Sequence, residues 1–299
     1  MKVVGIGGGH GLATTLRAAR LYADEVSAVV TVADDGGSSG RLTTELGIPP
    51  PGDIRNCLVA LARNDDLART FQHRFPTGTL EGHPVGNLII AGLAGETGDF
   101  GLAVEKAGRM LEAEGRVFPA TTELVSLSAL VEGGVVDGQV AVATTKNPIR
   151  SVHLRPSTPA AYPKAVFAIL GADQIVVGPG SLFTSVIATL LVPGINKALS
   201  DSRAHRVFVC NARQQAGETG GLDATDHVRA LLAHAGMGAI DTVVVQDPVL
   251  EGGVAFEEGD AAALDLAFVA ADVAGEDGAH DPDKLAKVLA SLTPLSARN

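Results

Sequence analysis

Two adjacent carboxylates, Asp34 and Asp35, end a β-branched run (Val29-Val30-Thr31-Val32) and pass directly into Gly36-Gly37-Ser38-Ser39-Gly40-Arg41. A second turn, Pro49-Pro50-Pro51-Gly52, leads to Asp53, Arg55 and Asn56. Flexible linkers rarely place paired acids and an arginine among their glycines. Such a set suits a polyanion: backbone N–H groups, Ser38 and Ser39 would face phosphate oxygens, and Arg41 would pair with one more. Acids beside phosphate repel it unless a cation mediates, so Asp34 and Asp35 are candidate Mg²⁺ ligands. A sugar hydroxyl, or an Asx turn within the loop itself, would account for the same acids.

Gly7-Gly8-Gly9-His10-Gly11 lies between an apolar strand, Lys2 to Ile6, and a helical pattern from Leu12 to about Tyr22. A strand, a glycine turn and a helix in that order present free helix amides to a phosphate. The glycine spacing matches the dinucleotide fingerprint only loosely, whereas acids ending the second strand stand about where a ribose-binding carboxylate belongs. Gly178-Pro179-Gly180-Ser181 repeats the arrangement, with Ser181 and Thr184 near the start of a helix running to Leu191. Asn211 follows a strand at 206–210 and opens the polar stretch to Gly221. Asn87, after the turn beginning at Glu81, and Asp53 are each placed to touch a ligand, although helix capping alone would explain either. Among the histidines, His10 is the one whose position marks a ligand contact.

Strands alternate with helices on both sides of a central segment, which predicts an α/β fold: a Rossmann-like three-layer sandwich with a mostly parallel sheet. One domain over residues 1–299 is expected. The central segment, 117–142, breaks into short β-prone pieces, including Gln139 to Ala143, and Asp137-Gly138 reads as a hairpin turn. A small antiparallel excursion is expected there, then a link through Pro148, Pro156 and Pro159. The last strand is expected at Leu264 to Val269 and the last helix at Asp281 to Leu292.

Lys and Arg number 23 against 34 Asp and Glu, a formal net charge of −11. An acidic chain lacks the electrostatic footprint for nucleic acid or anionic lipid, and the absence of Trp removes the usual stacking platforms. No apolar run reaches membrane-spanning length, and the first residues carry no signal-peptide core, so a cytoplasmic location is expected. Cys57 and Cys210 lack metal or disulfide spacing. No Gly-x-Ser-x-Gly elbow is present, and no catalytic nucleophile is assigned.

The motifs GGGHGL (7–12), VTVADDGGSSGRL (30–42), PPGDIRNCLVALA (50–62), GNLIIAGL (86–93), GPGSLFTSVIATLLVPGI (178–195) and VCNARQQAGET (209–219) resemble the YvcK-like gluconeogenesis factors of the CofD superfamily. The likeness spans almost the whole chain with its motifs in order, although His10 stands where many relatives carry Thr. It implies a cytoplasmic protein that binds a UDP-sugar such as UDP-N-acetylglucosamine and is needed for cell shape or wall synthesis on gluconeogenic carbon. A homo-oligomer and cell-wall synthesis proteins stand as candidate partners. The enzymatic branch of the superfamily transfers phospholactate to a deazaflavin, so an Mg²⁺-dependent transferase is the alternative. An NADP-dependent oxidoreductase rests on fold analogy alone.

Overall fold

The structure, a computed structural model, describes residues 1–257, 259 and 264–292. Ten strands are present among them: β1 (Lys2–Gly7), β2 (Glu25–Val30), β3 (Arg116–Pro119), β4 (Ser126–Val131), β5 (Gly134–Asp137), β6 (Ile149–Arg155), β7 (Gln174–Val177), β8 (His205–Val209), β9 (Thr242–Gln246) and β10 (Ala267–Ala271). Seven form one sheet in the order β10-β9-β8-β7-β1-β2-β3, every pair of which is parallel. The chain winds outward from β1 through β2 to β3, then restarts on the far side of β1 at β7. The direction of winding reverses between β1 and β7, which is where a doubly wound sheet opens a crevice at its carboxyl end.

Alternation along the strands feeds two cores. Val4, Ile6, Val29, Ile175 and Val177 point to one, while Val3, Ala28, Val30, Val176 and Val207 point to the other. The second is closed by α1 (Gly9–Ala19), α3 (Gly52–Leu61), α6 (Phe100–Met110) and the last helix, Pro282–Ser291, through residues such as Leu16, Leu58, Val104 and Leu289. Strands buried on both faces read as the continuous apolar runs seen in the sequence. No single helix among the described residues is long and apolar enough to cross a membrane.

The structure corrects four local expectations. Gly37 to Arg41 is not a loop but the start of α2 (Gly37–Leu46), with Gly36 as its N-cap. Gly40 is needed there because a Cβ would lie 2.0 Å from the Asp35 carbonyl oxygen. The hairpin does not turn at Asp137-Gly138: β4 and β5 close at Glu132-Gly133, with Val131 paired to Gly134 and Gly133 at φ 96°. Gln139–Ala143 is a short helix, α7, rather than a strand. The expected proline link contains β6, which pairs antiparallel with β4. The hairpin and β6 make the three-stranded sheet β5-β4-β6, whose Leu127, Ala129, Val152 and Leu154 join the first core.

Candidate functional site

At the switch point, Gly8, Gly9, His10 and Gly11 after β1 meet Gly180, Ser181, Thr184 and Ser185 after β7 across a cleft of about 290 Å³. Thr31 and Asp34 enter from the end of β2, Asp53 from α3, Gln139 from α7 and Gln215 from the loop after β8. The two glycine junctions touch because neither carries bulk at the contact. A Cβ on Gly11 would sit 2.3 Å from the Pro179 carbonyl oxygen, and one on Gly8 would sit 2.5 Å from Asp53 Oδ2. Thr15 secures the pair by donating to the Gly178 carbonyl at 2.8 Å. Gly11→Ala therefore sets backbone against backbone, and a loss of about 2–3 kcal/mol of stability is expected, read as a lowered Tm.

No side chain caps α1, whose N-cap is Gly8. Instead Asp53 accepts a hydrogen bond from the Gly9 N–H, placing a carboxylate at the start of α1. Burial, and next the charge of Asp34, push the Asp53 carboxyl up to about 7, against the pull of the Gly9 N–H and of Arg55. Asp34 accepts from Gly36 N at 3.0 Å, the Asx turn foreseen as one alternative, and still borders the cleft. Among the described residues lining the cleft, two are acids and none is Lys or Arg.

Other predicted residues lie elsewhere. Asp35 turns away from the cleft wall: its two oxygens accept from Gln139 N and Val140 N, each at 2.9 Å. Ser38, Asn56 and Asn87 belong to a buried network under α2. Arg55 Nη1 donates to Asn87 Oδ1 (3.0 Å) and Nη2 to Asn56 Oδ1 (2.7 Å), Asn87 Nδ2 donates to Ser38 Oγ (3.0 Å), and Ser38 Oγ meets His83 Nδ1 (2.8 Å). Ser39 Oγ accepts from Gly52 N at 3.1 Å and Arg41 donates to the Glu81 carbonyl at 2.6 Å, so both tie α2 to its neighbours. Asn211 brackets Gly180, accepting from its N–H at 3.0 Å and donating to its carbonyl at 2.9 Å. Gly7 ends β1 behind the cleft, its carbonyl accepting from Thr31 N at 2.9 Å.

The second glycine junction also departs from expectation. Leu182–Ile187 is a π-helical segment, with Val186 N reaching back five residues to the Ser181 carbonyl at 2.9 Å. Its leading amide is already occupied: buried Glu218 accepts from Thr184 N at 2.7 Å. Burial raises the Glu218 carboxyl above the usual range, and the amides and hydroxyls around it pull the other way. Each junction thus has a carboxylate at its helix start, Asp53 at the Gly9 N–H and Glu218 at the Thr184 N–H. Thr31, Gln139, Ser185, Gln215 and Glu218 were not singled out from the sequence. Glu218 and Gln215 lie within the last quoted motif, but nothing local to that stretch tells which helix it serves.

A larger cavity, about 940 Å³, runs along β3 and α6 between Leu58, Glu105, Arg109, Arg116 and Lys164, and none of the predicted site residues reaches it. Among the described residues no cluster of three or more His, Cys, Asp and Glu forms a metal cage. A cation in the cleft would therefore be held by the Asp34–Asp53 pair together with ligand oxygens, a donor set that suits Mg²⁺.

The family model described as 2-phospho-L-lactate transferase CofD matches residues 3–272. The gluconeogenesis factor of Halalkalibacterium halodurans is 45% identical over 247 residues, covering 82% of this chain and 77% of that protein. The gluconeogenesis factor of Bacillus subtilis is likewise 45% identical over 247 residues, covering 82% and 78%. A crystal structure of a UPF0052-family protein from Bacillus halodurans superposes with a TM-score of 0.93 at 38% identity, covering 96% of this chain and 98% of that one. With a family model over nearly its full length and relatives above 40% identity, the chain belongs to the YvcK-like gluconeogenesis-factor family of the CofD superfamily.

Proposed function

We propose that the cleft binds a nucleoside diphosphate sugar of the UDP-N-acetylglucosamine type as its Mg²⁺ complex. In this reading the chain is a cytoplasmic binding regulator of cell shape and wall synthesis during gluconeogenic growth. One observation carries it: two carboxylates, Asp34 and Asp53, border the cleft at the N-terminus of α1, and none of the described residues lining that cleft is Lys or Arg. A bare diphosphate would be repelled there, whereas a diphosphate bridged to both acids by a divalent cation would be held. When bound, the ion supplies neutralisation of the phosphate charge. The chain's own part is to present amides at Gly9–Gly11, to fix Ser181 through Gln215 Nε2 (3.1 Å), and to keep Asp34 and Asp53 together.

The transferase reading is supported by a separate feature. A carboxyl group pushed up to about 7 can take a proton from an attacking hydroxyl near neutrality, which a carboxylate at its ordinary value does poorly. Calorimetry with UDP-N-acetylglucosamine, NADP and GDP, in Mg²⁺ and in EDTA, separates these readings. Preferential binding of the UDP-sugar, weakened by about tenfold or more in EDTA, is expected on the charge argument. Equal affinity in EDTA would sink the metal-bridged reading, and turnover of a phospholactyl nucleotide would replace the regulator with the transferase.

A further inference from the structure

The antiparallel sheet reaches the cleft through α7, and α7 is clasped on both sides. Asp35 holds the N–H groups of Gln139 and Val140. A Cβ on Gly138 would lie 2.6 Å from Asp35 Oδ2, and one on Gly36 would lie 2.9 Å from Val140 Cγ2. At the other end of α7 a Cβ on Gly217 would meet the Ala143 carbonyl oxygen at 2.7 Å. The turn after β2 and the loop after β8 thus close on one short helix with no room for a side chain at these three contacts.

The outcome of that clasp is the position of Gln139. Its side chain borders the cleft with Asp34, Asp53 and Ser181, half-buried, and its carboxamide has no hydrogen-bond partner among the described residues. A carboxamide sets one acceptor beside one donor pair and carries no charge. Phosphate oxygens would leave its carbonyl facing a like dipole. A ligand edge with an N–H next to a C=O satisfies both halves at once. The imide of uracil presents that edge, N3–H beside C4=O, whereas the trans acetamido group of an amino sugar points its N–H and C=O opposite ways and does not.

We propose that Gln139 reads the imide N–H/C=O edge of uracil in the bound ligand and that Asp35 is its positioning residue, acting through the backbone of α7. This rests on the nucleotide-sugar reading of the cleft and adds the group by which the ligand is chosen.

Calorimetry in Mg²⁺ with UDP-N-acetylglucosamine, UDP-glucose and CDP-glucose tests it. Wild type is expected to prefer UDP-glucose over CDP-glucose, and Gln139→Ala is expected to lose about tenfold in affinity for the uracil ligands, the scale of one buried hydrogen bond. Collapse of the preference for UDP-glucose over CDP-glucose supports the assignment to uracil. Collapse only of a preference for UDP-N-acetylglucosamine over UDP-glucose would place the contact on the acetamido group and overturn it. Asp35→Ala is expected to collapse the uracil preference as well and to add nothing to Gln139→Ala in the double variant. Asp35→Asn, which keeps one acceptor, is expected to fall between and serves if the alanine variant does not fold. Unchanged affinities and preferences in Gln139→Ala, or additive losses in the double variant, would overturn the assignment. A wild type that binds none of the three overturns the nucleotide-sugar reading and this assignment with it; a wild type that binds while Gln139→Ala matches it overturns this assignment alone.

Discussion

At pH 8, Asp53→Asn is expected to melt above the wild type and to lose Mg²⁺-dependent nucleotide binding. Asparagine keeps an oxygen for the Gly9 N–H but carries no charge next to Asp34. The sign follows from linkage. With its folded-state value raised to about 7, the Asp53 carboxyl binds a proton in the folded chain at pH values where the unfolded chain has released it. Its contribution therefore lowers stability as pH rises from about 4, and the full cost is present above about 7. Because the carboxylate borders an open cleft, about 1–2 kcal/mol is taken rather than the whole shift, a gain in Tm of about 2–3 °C for a chain of this size. That gain should shrink steadily from pH 7 to pH 4 in a series of thermal melts. Ligand binding runs the other way: protonating Asp53 removes a metal ligand, so wild-type affinity should fall toward tenfold per pH unit below about 7. An Asp53→Asn variant that retains Mg²⁺-dependent affinity would place the cation elsewhere.

The trade between stability and binding at Asp53 was not legible in the sequence, where the residue reads as a helix cap. What was legible is the scaffold: a strand, a glycine turn and a helix at both 2–22 and 174–191, with acids at the end of the second strand. Those patterns are local, and the structure brings Gly9, Asp34 and Ser181 to one cleft. The misplaced residues share a different property, since each takes its role from a partner far along the chain. Asp35 looks like a ligand of whatever Asp34 binds until Gln139, more than a hundred positions away, supplies the amide that claims it. Ser38 and Ser39 look like phosphate contacts in a loop. They turn inward because Gly36 to Arg41 begins a helix, whose inner face must pack on α3 and on α5 (Val85–Thr97). Gly138 marks a place where backbone passes close to Asp35, and the hairpin signal at Asp137-Gly138 misled because a glycine serves either purpose. Glu218 is the clearest instance: a second glycine turn and helix start follow β7, but a carboxylate from the loop after β8 takes its Thr184 N–H.

Asn87→Ala is expected to cost about 3 kcal/mol of stability while changing the affinity of the folded protein for its ligand less than about twofold. Asn87 is 1% exposed and stands between Arg55 and Ser38, accepting from the guanidinium and donating to the hydroxyl. Arg55 itself is 3% exposed, donates to no carboxylate among the described residues, and its Nε already lacks a partner there. Burial, and next the charge of Arg74, lower the guanidinium to about 10. Two amide oxygens, from Asn56 and Asn87, therefore carry the direct solvation of a buried cation. Removing one leaves that charge stripped on a second side. Ser38 would lose its donor in the same step and His83 the orientation of its partner hydroxyl. None of Arg55, Ser38, His83 or Asn87 lines the cleft, so the loss should be read in denaturant midpoint and Tm, not in calorimetric affinity. An Asn87→Ala variant that melts like the wild type but no longer binds nucleotide would mean that the ligand reaches beneath α2 and that Arg55, not the Asp34–Asp53 pair, meets its charge.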